Sequence, residues 1–278
     1  MLAVNRNRIG AAVLPGAVGA IHMRLLGKFL LLAVTSAPAL FAASPLLAQG
    51  TVAPTVRTVL AVGRVSSVVD APMHFKLLRV TLQAGTSTTY RGFHGTIFAH
   101  SGALAVATGD DKRTLQEGEG VYIAAGTNVT LQATGAAPAV FLQFLLLPTA
   151  DLDKPAEGPP AMVTEIHRMA IPAAALKPGP YEFSLIRLTR GPGQAPGPHM
   201  RSGAALYYIL ADGLVTIWPS GPDGTIAGES RTELRPAGAI QEEPYGFVHT
   251  WASPPNSRLI LLQANISQEG MADVIFIK

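Results

Sequence analysis

Residues 76–85 read KLLRVTLQAG and residues 184–193 read SLIRLTRGPG. Leu77, Arg79, Thr81 and Gly85 fall on Leu185, Arg187, Thr189 and Gly193 at one constant spacing of 108 positions. Further on, KRTLQEGEG at 112–120 matches SRTELRPAG at 230–238, where the spacing has grown to about 120. Agreement at two places in the same order marks an internal duplication. The wider spacing puts an extra loop around Ser220–Ser230 in the second copy.

Each copy is written in strands. Residues 103–108 (ALAVAT) and 214–218 (LVTIW) are β-type segments that follow a glycine. Residues 121–123, 141–145 and 259–262 are short apolar runs bounded by turn residues. Short strands at regular spacing, with Gly and Pro between them, predict barrels or sandwiches. Helix is confined to one expected turn at 173–176. The composition agrees: 278 residues carry 28 Gly and 22 Pro, are 48% hydrophobic and only 14% charged, and are enough for two cores. The polar, proline-rich stretch 148–161 reads as a linker. The expected organisation is a first domain at 58–148, a linker at 149–161 and a second domain at 162–278.

The first 48 residues differ from the rest. They hold Arg6, Arg8, Arg24 and Lys28 and no acidic residue, and Met23 opens a basic, then apolar, then small-residue pattern that ends at Ala48. That order describes a secretory signal, so residues 1–48 are expected to be removed and the mature chain to be periplasmic or secreted. Ser36, Pro38 and Ser44 interrupt the apolar run, which makes it a poor membrane span. Removing the four basic residues leaves 17 basic against 18 acidic ones, so no charge excess favours nucleic acid. The chain has no cysteine, which excludes disulfides, thiolate catalysis and Cys-bound metals. No phosphate loop, nucleophile elbow or HExxH helix is present.

Two glycine-framed segments in the second copy carry a resemblance. Gly193, His199, Arg201, Leu206 and Gly213 form one frame; Gly238, Pro244, Gly246, His249 and Ser253 form the other. The spacing resembles the two motifs of the cupin superfamily, and the duplication then resembles a tandem, or bicupin, protein. The resemblance implies an all-β fold of two jelly-roll-like barrels. It also implies that three His and one Glu would hold one metal inside a barrel. In the first copy only the glycine frame remains, with Arg91, Phe93 and Val129 where ligands would stand. The first barrel is therefore expected to be filled by apolar side chains such as Val129 and Leu131.

In the second copy the metal set is degenerate. His199 and His249 remain, whereas Arg201 and Leu206 replace the other two ligands. A guanidinium about 4 Å from a divalent ion, at an effective dielectric of about 20, costs roughly 8 kcal/mol. A metal held by His199 and His249 would need a further carboxylate, Glu242 or Glu243. The same residues read alternatively as a metal-free pocket for a small organic acid. Arg201 would supply a planar fork of donors, His199 and His249 would add hydrogen bonds, and Trp251 and Tyr208 would form walls. A third reading is a plain core with two satisfied histidines. The functional expectations are thus small-molecule binding without a cofactor, or a metal-dependent oxygenase or isomerase with a two-His site. The association expected from such barrels is a homodimer. His74, His94, His100 and His167 have no partners at cupin spacing and are expected at the surface or in packing.

Overall fold

The computed structural model describes residues 55–66, 72–156, 158–171 and 177–277. The expected signal segment with its cleavage site, and the helical turn at 173–176, lie outside the described residues. The chain runs through β1 (Val56–Val65), β2 (Met73–Leu82), β3 (Ser87–Arg91), β4 (His94–Ser101) and β5 (Leu104–Thr108). It continues through β6 (Asp111–Leu115), β7 (Gly120–Ile123), β8 (Asn128–Ala133), β9 (Ala139–Pro148) and β10 (Met162–Ile171). The second copy holds β11 (Tyr181–Arg190), β12 (His199–Arg201), β13 (Ala204–Ala211), β14 (Gly213–Trp218) and β15 (Arg231–Arg235). Its last strands are β16 (Ile240–Glu243), β17 (Val248–Ala252), β18 (Leu259–Gln268) and β19 (Val274–Phe276). Among the described residues the single helical element is a 3-10 turn at Thr149–Asp151.

The strands form four sheets: β10-β2-β9-β4-β7 and β3-β8-β5-β6 in the first half, and β1-β11-β18-β13-β16 and β15-β14-β17-β12-β19 in the second. Each half buries a core between its two sheets. Leu78, Val80, Leu131 and Phe141 fill the first, and Tyr207, Val215, Trp251 and Leu261 the second. A third core lies between the sheets β10-β2-β9-β4-β7 and β1-β11-β18-β13-β16, where Phe75, Leu77 and Phe144 meet Phe183, Leu185 and Leu262. These two sheets are therefore buried on both faces. That explains why β9 (AVFLQFLLLP) shows no polar alternation. Residues 141, 145 and 147 point into the first barrel, and residues 142, 144 and 146 into the shared core.

The linker does not separate the sheets as cleanly as it separates the sequence. β1 pairs antiparallel with β11 of the second half, from Val56↔Thr189 to Val65↔Tyr181. β10 pairs with β2 of the first half, from Met162↔Thr81 to Ile171↔Met73. Each copy lends its opening strand to the other. Neither sheet is complete without the other copy, so the described region is expected to unfold in one transition. Equal calorimetric and van't Hoff enthalpies would show this, whereas two resolved transitions would refute it.

Two glycine roles are visible. Gly85 and Gly193, equivalent in the repeat, both adopt positive φ, +73° and +69°, after the long strands β2 and β11. Gly213 instead allows a close approach: a Cβ there would lie 2.5 Å from Leu259 and 3.3 Å from Trp251. The extra loop of the second copy is the connection from β14 to β15, pinned by a bridge between Ser220 and Ile226.

Candidate functional site

The second barrel has a polar interior, built strand by strand. β12 brings His199 opposite His249 of β17, and their rings lie 4.5 Å apart. Alternation on β12 turns Arg201 inward, and on β17 it puts Trp251 on the same side as His249. On β13 and β16, Ala205 pairs with Glu243 and Tyr207 with Gln241.

Glu243 is the hub. Its side chain is fully buried, as is that of His249. Arg201 donates Nε–H to Glu243 Oε2 at 3.1 Å. Trp251 donates its indole N–H to Oε1 at 2.8 Å. His249 Nε2 approaches the same Oε1 to 2.8 Å, but off the line of a hydrogen bond, so that nitrogen is left without a hydrogen-bond partner. Arg201 also donates to the Tyr207 hydroxyl, and Tyr207 stacks on Trp251 with ring centroids 5.7 Å apart. Burial pushes the Glu243 carboxyl up, but the adjacent His249 and Arg201 outweigh this electrostatically and hold it below the usual carboxylate range. Burial drives His199 down to about 4, and the neighbouring His249 adds to the effect.

Four of the five residues expected to line a pocket, Arg201, His199, His249 and Trp251, come together here. Tyr208 does not. It belongs to the core shared with the first half, where its hydroxyl accepts from Arg79 at 3.0 Å. Leu206 lies on that same face, so neither residue lines the barrel; the residue that does is Tyr207. Both faces of β13 are buried, which hides the parity from the sequence. Of the two carboxylates weighed, Glu243 is inside, whereas Glu242 is exposed and pairs with His167 at 2.6 Å.

Sequence reasoning missed Arg190, Gln263 and Asn265. Arg190 is 6% exposed and shares the barrel side of β11 with Leu188. It donates Nη1–H to the carbonyl of Trp251, while its Nε has no partner. Burial and the like charge of Arg201 both lower its pKa, with the Tyr207 phenol acting the other way between them. Gln263 and Asn265 of β18 pair with Tyr207 and Ala205. Gln263 Nε2 and both amide atoms of Asn265 are buried without a partner. For Arg190 and Asn265 the repeat carried the missing signal; Gln263 has Gln143 as its counterpart and shows none. Strand register makes Leu82, Ile97, Ile123, Val129, Leu131 and Leu145 the first-copy counterparts of Arg190, Tyr207, Glu243, His249, Trp251 and Asn265. All six counterparts belong to the apolar core of the first barrel. Register also corrects one position: Tyr90, opposite Val129, stands where His199 does, and Arg91 is its exposed neighbour.

The cupin resemblance implies a metal among these donors. His199 and His249 each direct Nδ1 at a backbone carbonyl, Gly197 at 2.9 Å and Phe247 at 3.1 Å. That leaves Nε2 of each ring as the remaining donor atom. The third donor, Glu243, is spent on Arg201 and Trp251. Among the described residues no group of three or more His, Cys, Asp or Glu side chains can hold a metal ion. The residues present do not fit a resident divalent metal.

No family model matches the sequence, and no curated protein does. Solved structures do match. An oxalate decarboxylase is 13% identical, with a TM-score of 0.50 over 78% of this chain and 74% of that one. A single-residue variant of the Bacillus subtilis oxalate decarboxylase gives the same identity, TM-score and coverage. A cupin 2 conserved barrel domain protein from Leptotrichia buccalis is 14% identical, with a TM-score of 0.41 over 75% of this chain and 89% of that one. At these identities the likeness speaks for fold alone. The fold is the all-β cupin barrel, as the glycine frames imply.

Proposed function

We propose that this chain is an exported bicupin whose second barrel binds a small, monoanionic organic acid without a metal, the first barrel acting as scaffold. The observation that carries this reading is the contrast between the copies. In the first barrel the counterparts of Arg190, Glu243, His249 and Asn265 are Leu82, Ile123, Val129 and Leu145, all members of an apolar core. The second places Arg190, Arg201, His199, His249, Glu243 and Asn265 at or near full burial. Buried polar groups without partners each cost about 1–3 kcal/mol, so a fold that does not need them keeps them for another reason.

The charge balance supports an anion. Arg190 and Arg201 face one carboxylate, Glu243, with His249 beside it, and His199 is held neutral by its lowered pKa. At least one positive charge is left over, and Arg190 has the unpartnered N–H. A carboxylate meeting Arg190 would offset that charge. The amides of Gln263 and Asn265 would accept and donate hydrogen bonds to a hydroxyl or carbonyl of the same ligand. Glu243 keeps Arg201 occupied, so Arg201 positions the network and Arg190 takes the acid.

A thermal-shift screen of short mono- and dicarboxylates tests this. At a hundredfold excess over Kd a fitting acid is expected to raise Tm by roughly 5 °C or more. Arg190→Gln is expected to abolish the shift. A shift of equal size in Arg190→Gln, or none with any carboxylate at millimolar concentration, rejects the reading.

A further inference from the structure

Outside the barrels, a cleft of about 460 Å³ opens at one end of the shared core, between the two sheets that enclose it. Phe98 and His100 of β4 and Glu117 of the following turn line one wall; Arg187 of β11, Leu210 of β13 and Arg258 line the other. We propose that this cleft is a second, separate anion site, taking a carboxylate on an apolar or aromatic body and bridging the two halves of the chain.

The argument rests on a broken symmetry. Arg79 and Arg187 are equivalent in the repeat, and so are Phe98 and Tyr208, which pair with Leu142 and Leu262. Arg79 donates to the hydroxyl of Tyr208 at 3.0 Å. The mirrored contact would set Arg187 against Phe98, which has no acceptor. Arg187 is half-buried, and among the described residues it has neither an ion pair nor a hydrogen bond. Its Nη1 lies over Gly118, 3.0 Å from where a Cβ would stand, so a larger residue there would displace the guanidinium. Arg258 at the opening is likewise unpaired among the described residues. Two free guanidinium groups against the single carboxylate of Glu117 leave an excess positive charge in a concave, part-apolar site. Phe98 and Leu210 offer surface for a ring or alkyl chain, which separates this ligand from the short acid proposed for the barrel.

Benzoate is the probe. Titrated calorimetrically into the full-length chain at low ionic strength, it is expected to bind with millimolar or better affinity, and the affinity is expected to fall as salt is raised. Arg258→Gln, at an exposed position, is expected to weaken binding about tenfold, the order of one lost charge-assisted contact. Phe98→Tyr gives Arg187 the hydroxyl that Arg79 already has, and is expected to weaken benzoate by a similar factor while leaving the fold intact. The proposal is overturned if benzoate gives no saturable heat at millimolar concentration. It is equally overturned if binding is unchanged in both variants. Binding lost in Arg190→Gln but retained in Arg258→Gln and Phe98→Tyr would place benzoate in the barrel and remove the cleft site.

Discussion

Glu243→Leu is expected to destabilise the protein by about 3–5 kcal/mol, among the largest effects available to a single substitution in it. The glutamate is fully buried and answers Arg201, itself 3% exposed. Without it the guanidinium keeps its charge in the interior, and the indole N–H of Trp251 loses its acceptor. Burial and ion pairing do not by themselves make the pair stabilising, because desolvating both groups costs about as much as their attraction returns. The double variant Arg201→Leu/Glu243→Leu is therefore expected to recover most of the loss and to lie within about 2 kcal/mol of the parent. The first barrel supports this, since Ile123 occupies the position of Glu243 inside an apolar core. Urea unfolding of the parent, both single variants and the double variant gives the coupling energy. A double variant as unstable as either single would mean that the pair itself holds the barrel together and that its retention needs no functional explanation, whereas one as unstable as the sum of the singles would mean zero coupling and refute the pairing account.

Much of the fold was legible because glycine spacing and a duplicated strand survive drift that side-chain chemistry does not. KLLRVTLQAG and SLIRLTRGPG are the strands β2 and β11 with the turns that follow them, and both end on a left-handed glycine. What stayed hidden follows from double burial. A strand with one wet face shows its inside by alternation, but β9, β13 and β18 have no wet face. Tyr207 and Tyr208 are equivalent in the sequence and face different cores. The exchange of β1 and β10 was hidden for another reason. An edge strand pairs through its backbone, and nothing in VRTVLAVGRV states which copy it joins. At the site, His199, Arg201, His249 and Trp251 were readable from the cupin frames. Glu243 could be narrowed only to one of two neighbours. Arg190 and Asn265 stand outside those frames, but alignment with Leu82 and Leu145 exposes them as polar residues at core positions.

Lowering the pH from 7 to about 4 is expected to remove roughly 3 kcal/mol of stability through His199 alone. The imidazole is 5% exposed, and burial first, then His249, brings its pKa from the usual 6.5 to about 4. The unfolded chain takes up this proton near pH 6.5, and the native protein only near pH 4. Across that window the unfolded state binds more protons, so stability falls as the pH falls and levels off for this group below about 4. Glu243 acts in the same direction at lower pH. Its carboxyl is held below the ordinary 4.5, so the stability it contributes is present above that value and is lost only under stronger acid. His94 and His100 are also lowered by burial, and the total slope includes them. The contribution of His199 is isolated by difference. His199→Phe places a ring of similar size beside Phe276, whose ring lies 5.6 Å from the imidazole, and carries no titrating group. The stability gap between parent and variant is expected to move by roughly 3 kcal/mol in favour of the variant between pH 7 and pH 4, while the steeper loss below pH 4.5 remains in both. A gap that stays constant with pH would mean that His199 is reached by solvent in solution. The polar interior of the second barrel would then be open, and the buried orphan atoms that motivate a ligand would already have water as their partner.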